Sequence, residues 1–313
     1  EAFERPFVDF ALTVREGGRL IVCADDPGGL RLARAAVEHG VAVTTYGTAG
    51  PDVGDRGRLV GDAHVRVEIT ERRADGTSAL LTLWSGETAT GTGPVRPEDC
   101  TLTGSVPLEL AAPGDHVVLD AAAAWAAGLE LGVEPRVMAR SLASFGGTGR
   151  RFETRGEAAG VVVIDDYAHH PTEIEALLRT ARGVAQERGG RVLVLFQPHL
   201  FSRTRAFADR FGQALALADA VVVTDVYPAR ETQADFPDIT GDTVAQRVPG
   251  GIARFVAERL DAAHAVADLA RPGDLLLTVG AGDVTELAGT VLADLAAREG
   301  GAAPSPADRD ERA

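Results

Sequence analysis

Between residues 165 and 170 the chain reads Asp-Asp-Tyr-Ala-His-His, directly after an apolar run and directly before Pro171. Carboxylates, imidazoles and a phenol at this density can exchange protons or fix a charged substrate. Other segments carry the same kinds of residue after apolar runs: QPHLFSRTR with His199, Arg203 and Arg205, DVYPARE with Arg230 and Glu231, and the glycine turn GAGD at 280–283. In GGTGRRFE, at 146–153, Arg150 and Arg151 follow a glycine-rich turn. Guanidinium groups at such places suit carboxylates and phosphates.

Each segment also has a plainer explanation. Asp165 or Asp166 can cap the helix that opens at Pro171, although two aspartates exceed that need. His169 and His170 can form a structural pair, and adjacent histidines lack the helical spacing that lets two imidazoles share one metal ion. Arg203 and Arg205 can be solvated helix residues. Beside His199, at a helix N-terminus whose free amides favour anions, they gain a functional meaning. The glycines of GGTG can be a bare linker.

The elements that position these residues follow from periodicity. GVVVID, RVLVLF, AVVVTDV, ARFV and DLLLTVG are near-continuous apolar runs alternating with helical patterns, which predicts a doubly wound parallel sheet over about 158–300. In such a sheet the loops after the carboxyl ends of the strands line the ligand crevice, and DDYAHHP, QPHLFSRTR, DVYPARE and GAGDV all fall there. Residues 1–150 predict a mixed α/β region. It has a strand–helix–strand unit over GGRLIVCADDPGGLRLARAAVEHGVAVTTYG, a hairpin around Asp75-Gly76, and an alanine-rich helix closed by Gly132. The last residues, GGAAPSPADRDERA, have no periodicity and predict a disordered tail.

Composition limits the functions available. A chain of 313 residues suggests roughly two domains, since single cores rarely exceed ~250 residues. The net charge of −15 argues against nucleic-acid and anionic-membrane partners. No apolar run has the length of a membrane span. The two cysteines, Cys23 and Cys100, imply neither a disulfide framework nor a zinc site and point to a reducing cytoplasm. The chain has no lysine and no asparagine, so it cannot hold the lysine of a GxxxxGK[ST] phosphate loop.

From CADDP through GGTGRRFE, VVVIDDYAHHPTEI, FQPHLFSRTRAF and DVYPARE to TVGAGDVTEL, the motifs resemble those of the Mur ligases of peptidoglycan synthesis, in the family's order and over most of the chain. The resemblance implies a partial central ATPase-type α/β domain over 1–153, a Rossmann-like doubly wound C-terminal domain over 154–300 and a tail over 301–313. The UDP-binding domain, phosphate loop and magnesium-binding carboxylate would then lie upstream of residue 1, which accounts for the missing lysine.

The implied activity joins L-alanine to the lactyl carboxylate of UDP-N-acetylmuramate through an acyl phosphate, with ATP and Mg2+ as cofactors, and admits a homodimer. Carried over by position, His116, Asp120, Arg151 and Asp165 would contact the nucleotide. Tyr167, His169 and His170 would shape the alanine and acyl-phosphate site, and His199 and Arg203 would hold a muramoyl or alanine carboxylate. Arg230 and Glu231 would serve in closure. Val117 and Asp120 replace family asparagines near the adenine, and Asp120 can accept from an adenine amino group but cannot also donate. Leu200 stands where many relatives carry arginine.

The nearest alternative is the family's recycling ligase, which attaches a whole tripeptide to UDP-N-acetylmuramate. A non-enzymatic nucleotide-binding module and a metal hydrolase built on Asp165, Asp166, His169 and His170 are alternatives of other classes. Without a phosphate-loop lysine, these 313 residues alone are expected to form no ligase product. ATP-dependent synthesis of UDP-N-acetylmuramoyl-alanine by the isolated chain would overturn this.

Overall fold

The computed structural model describes residues 4–50, 60–86 and 100–301. The chain divides into two units, Glu1–Gly146 and Gly147–Ala313, so that Arg150, Arg151 and Phe152 belong to the second. The expected tail lies outside the described residues beyond Gly301.

The first unit contains α1 (Arg5–Ala11), β1 (Arg19–Cys23), α2 (Pro27–Glu38), β2 (Ala42–Gly47), β3 (Ala63–Arg73), β4 (Gly76–Gly86), β5 (Cys100–Leu110), α3 (Asp115–Glu130) and α4 (Pro135–Ala143). Its sheet has the order β1-β2-β3-β4-β5, parallel through β3 and antiparallel from there. Asp26 caps α2 by accepting from the Gly29 amide at 2.7 Å. The alanine-rich α3 buries Val118, Ala122, Trp125 and Ala126 against Val65, Leu81 and Leu108 of the sheet. It ends as expected before Gly132, whose φ of +79° suits the left-handed residue after a helix.

The hairpin departs in detail from expectation. Its two turn residues are Ala74 and Asp75, and Gly76 already pairs with Arg73. Gly76 answers to packing: a Cβ there would lie 2.3 Å from the Leu110 carbonyl oxygen.

The second unit contains β6 (Glu153–Ala158), β7 (Val161–Asp166), α5 (Pro171–Glu187), β8 (Val192–Phe196), α6 (Phe201–Leu215), β9 (Ala220–Val223), α7 (Asp242–Ala245), β10 (Ala253–Phe255), α8 (Arg259–Ala267), β11 (Leu275–Val279) and α9 (Leu287–Gly301). The sheet order is β10-β9-β8-β11-β7-β6, parallel except for the antiparallel β6. All five expected strands are present, and β6, ETRGEA, is an edge strand too polar to register as an apolar run. Val161, Val163, Leu193, Leu195 and Leu276 form one core with Ala263 and Val266 of α8 and Leu287 and Val291 of α9. Helices α5 and α6 cover the other face, as right-handed crossovers require. Because β11 inserts between β8 and β7, the loops following these three strands are neighbours at one sheet edge.

Arg150 and β6 are integral to this unit, since Asp165 is fully buried and pairs with Arg150. A fragment of residues 147–301 is therefore expected to unfold cooperatively. A fragment starting at 158 would lose about 3–5 kcal/mol by leaving the buried carboxylate without its cation. Equal stabilities of the two fragments in denaturant titrations would refute this.

Candidate functional site

Strand β7 runs apolar to its end and then places two acids side by side, which point to opposite faces of the sheet. Asp165 accepts from Thr278 Oγ1 at 2.7 Å, Thr285 Oγ1 at 2.8 Å and Arg150 Nε at 3.1 Å. Asp166 accepts from the Phe152 and Ala168 amides, each at 2.8 Å. Both acids thus fix the 150–152 loop to the sheet. Neither caps α5, contrary to expectation. That helix is capped by His170, whose Nδ1 accepts from the Thr172 amide at 3.3 Å, while Glu173 accepts from the His170 amide at 3.1 Å and the His169 amide at 2.9 Å.

The two histidines therefore diverge. The His170 ring packs edge-on against Phe207 at 5.1 Å. The His169 ring lies 5.3 Å from Tyr167 and 6.0 Å from His199, with its Nδ1 on the Tyr167 carbonyl oxygen at 2.9 Å. Among the described residues there is no group of three His, Cys, Asp or Glu side chains able to hold a metal ion.

Arg150, outside the expected site set, proves central. Its Nη2 donates to the Gly280 carbonyl oxygen at 2.6 Å, and its guanidinium lies 4.8 Å from the Tyr167 ring centroid. Arg151, exposed, lies 5.6 Å from the same ring. The pairing of arginines behind a glycine turn was the signal that could have found it.

His199 follows β8 and stacks on Tyr227, which follows β9, with ring centroids 5.6 Å apart and planes 16° from parallel. Burial first, then the cations of Arg203, His169 and Arg230, push the His199 imidazole below its ordinary pKa, against an opposing pull from Glu231. The expected anion site on the α6 amides is already filled by Glu231, which accepts from the Ser202 amide and hydroxyl. Burial raises the pKa of Glu231, but these hydrogen bonds outweigh it and hold the carboxyl below its usual range. Arg205 lies over the Phe236 ring at 4.9 Å.

His199 Nδ1 and Arg203 Nη1 are buried without a hydrogen-bond partner. They are two of the three such side-chain atoms among the described residues. Proteins leave few buried polar atoms unsatisfied, so two at one sheet edge point to a ligand that bonds both, accepting from Arg203 Nη1 and from His199 Nδ1 in the tautomer that carries the proton there. Tyr167, His169, His199 and Arg203 thus belong to one cluster with Arg150 and Tyr227, whereas His170 lies against Phe207 and Asp165 lies beneath Arg150.

His116 and Asp120 lie on α3 of the first unit. The carboxyl of Asp120 is exposed and near Tyr46, whose phenol is pushed up to about 12, mainly by burial and further by Cys23, Asp120 and Asp25. Asp25 accepts from the Thr48 amide at 3.0 Å, which ties the ends of β1 and β2 together.

Residues 150–282 match the family model described as Mur ligase, glutamate ligase domain. The chain is 49% identical over 302 residues to the UDP-N-acetylmuramate–L-alanine ligase of Kineococcus radiotolerans, covering 95% of this chain and 56% of that protein. It is 43% identical over 304 residues to the enzyme of the same name from Saccharopolyspora erythraea, again covering 96% of this chain and 56% of the relative. Among solved structures, the UDP-N-acetylmuramate–alanine ligase of Thermotoga maritima aligns with a TM-score of 0.56 and 25% identity, covering 84% of this chain and 54% of that one. The chain thus spans about half the length of the relatives it matches. No helix among the described residues is long and apolar enough to cross a membrane.

The His170 cap makes stability pH-dependent. Burial first, then Arg210, lowers its pKa from 6.5, so below that value the unfolded chain binds more protons than the folded one. The contribution of His170 is complete above about pH 6.5 and is lost as the pH falls. His170→Ala is expected to cost ~1 kcal/mol at neutral pH. His170→Asn, which caps without titrating, should lose less stability than the wild type between about pH 7 and pH 5. Equal acid losses in thermal melts would refute the assignment.

Proposed function

Given that the chain belongs to the Mur ligase family, we propose that it supplies the acceptor-side residues of a cytoplasmic, ATP-dependent ligase joining L-alanine to the lactyl carboxylate of UDP-N-acetylmuramate. The observation that carries this is the pair of buried, unpartnered nitrogens, His199 Nδ1 and Arg203 Nη1. A carboxylate presents two oxygens and a negative charge to such a pair, and both substrates of this reaction bear one. The names of the relatives, at 43% and 49% identity, support L-alanine as the amine.

ATP, when bound, supplies the phosphoryl group that converts the lactyl carboxylate into an acyl phosphate. The residues present suit such a nucleotide. Within the second unit, Arg151 is exposed beside a loop pinned by Asp166 and can meet phosphate oxygens. Asp165 has no exposed surface, so its part is to orient Arg150 and not to touch the nucleotide. Among the described residues no trio of His, Cys, Asp or Glu side chains is placed to ligate magnesium.

When the amine of alanine attacks, negative charge grows on the carbonyl oxygen and on the departing phosphate. Arg203 is a fixed donor that needs no reorganisation to meet it, and His169, whose Nδ1 donates to the Tyr167 carbonyl oxygen, keeps Nε2 as an acceptor for the proton that the attacking amine loses. Tyr167, 36% exposed, forms a wall between the arginines and His169.

In the full-length protein, His169→Ala is expected to lower kcat on the order of a hundredfold while leaving Tm nearly unchanged. Arg203→Ala should raise one substrate's KM by about 10–100-fold, and the substrate affected identifies the carboxylate held there. Unchanged kcat with a fall of several degrees in Tm for His169→Ala would make that residue structural. A preference for tripeptide over L-alanine in the same assay would replace the amine named here.

A further inference from the structure

The loop after β11 carries no side chain suited to a substrate, yet it supports the site from beneath. Its Gly280 and Gly282 stand against β8 and Tyr227. A Cβ at Gly280 would lie 2.7 Å from the Gln197 carbonyl oxygen, and one at Gly282 would lie 2.3 Å from Gln197 Oε1 and 2.6 Å from Tyr227 Cγ. Gln197, 5% exposed, fastens the loop with both ends of its amide: Oε1 accepts from the Val284 amide at 3.1 Å and Nε2 donates to Asp283 Oδ1 at 2.7 Å. Arg259 holds the other oxygen of Asp283 at 3.0 Å.

Tyr227 therefore has a rigid floor. Its backbone is equally fixed, since its amide donates to the Pro198 carbonyl at 2.8 Å and its carbonyl accepts from the Leu200 amide at 2.9 Å. Its ring stacks near-parallel on His199. Leu200, next to His199, is held at φ +70°, a conformation costly for a residue with a branched side chain. The backbone is thus strained at Leu200 and clamped to Tyr227 at once, with the His199 imidazole lying near-parallel to the Tyr227 ring.

We propose that Tyr227 is a positioning residue that orients His199 toward the substrate carboxylate, with Gly282 and Gln197 fixing Tyr227 in turn. This rests on the assignment of His199 as a carboxylate donor. The substitution Gly282→Ala acts on both supports of the stack, because the added methyl meets Gln197 Oε1 first and the Tyr227 ring next.

A double-mutant cycle in the full-length protein tests the coupling. His199→Ala and Tyr227→Leu are each expected to raise the KM for the carboxylate substrate by about tenfold, with the KM for ATP unchanged. In the His199→Ala background, Tyr227→Leu should add less than about twofold. Tyr227→Phe, which keeps the ring, should recover most of what leucine loses. If the leucine variant does not fold, Gly282→Ala takes its place in the same cycle. Effects that multiply would overturn the positioning role while leaving the carboxylate assignment intact. A silent His199→Ala would overturn the assignment itself, and the positioning role with it.

Discussion

The carboxyl edge of the second sheet depends on a single buried charge. Asp165 has no solvent contact, and a carboxylate taken out of water at that depth must be matched by a cation and further donors or it destabilises the fold. Arg150 and two threonine hydroxyls supply the match. To reach it, Arg150 adopts φ +58° and Phe152 φ +47°, both in the left-handed region that side chains disfavour. The strain is offset by the Asp166 bond to the Phe152 amide. From this anchor Arg150 reaches the Gly280 carbonyl, so the junction loop, β7 and the β11 loop are held as one piece.

A comparison within the same sheet shows why charge alone does not mark a site. At the amino edge, Asp274 is also almost fully buried and pairs with Arg191. Burial raises its pKa, but the Arg191 side chain and the Arg191 and Arg271 amides more than compensate, and the net effect is a lowered value. Arg191 also donates to the Leu269 carbonyl, so this arginine is spent on the fold. At the carboxyl edge Arg203 keeps a buried nitrogen unmatched, and so does His199. Incomplete satisfaction distinguishes the carboxyl edge from the amino edge.

Much of this was legible in the amino-acid sequence. Continuous apolar runs such as RVLVLF betray parallel strands because both faces are covered, and the loops after them are where polar residues have no structural necessity. The segments that carry Tyr167, His169, His199 and Arg203 follow such runs, at the carboxyl ends of β7 and β8. What escaped depends on partners distant in sequence. Asp165 looks exposed at a strand end until Thr278 and Thr285 are seen to enclose it. The capping by His170 was hidden because aspartate is the commoner cap and two stood nearby. The edge strand β6 has too few apolar residues to show the alternation of a half-buried strand, and Tyr227 gains its meaning only from the stack on His199.

The same logic explains how a chain with a net charge of −15 can present a cationic site. Apart from Asp165, which pairs with Arg150, three acids of the site turn inward to backbone amides: Asp166 to Phe152 and Ala168, Glu173 to His169 and His170, and Glu231 to Ser202. A carboxylate bound to two amides has its charge partly met by fixed dipoles, and it shapes a loop without quenching the neighbouring guanidinium groups. Were those acids instead paired with Arg203 or Arg151, the loops would be no less ordered, but the positive field would be consumed internally. Division of labour between acids that hold backbone and cations that face outward therefore sets the polarity of this edge, independently of the charge of the molecule as a whole.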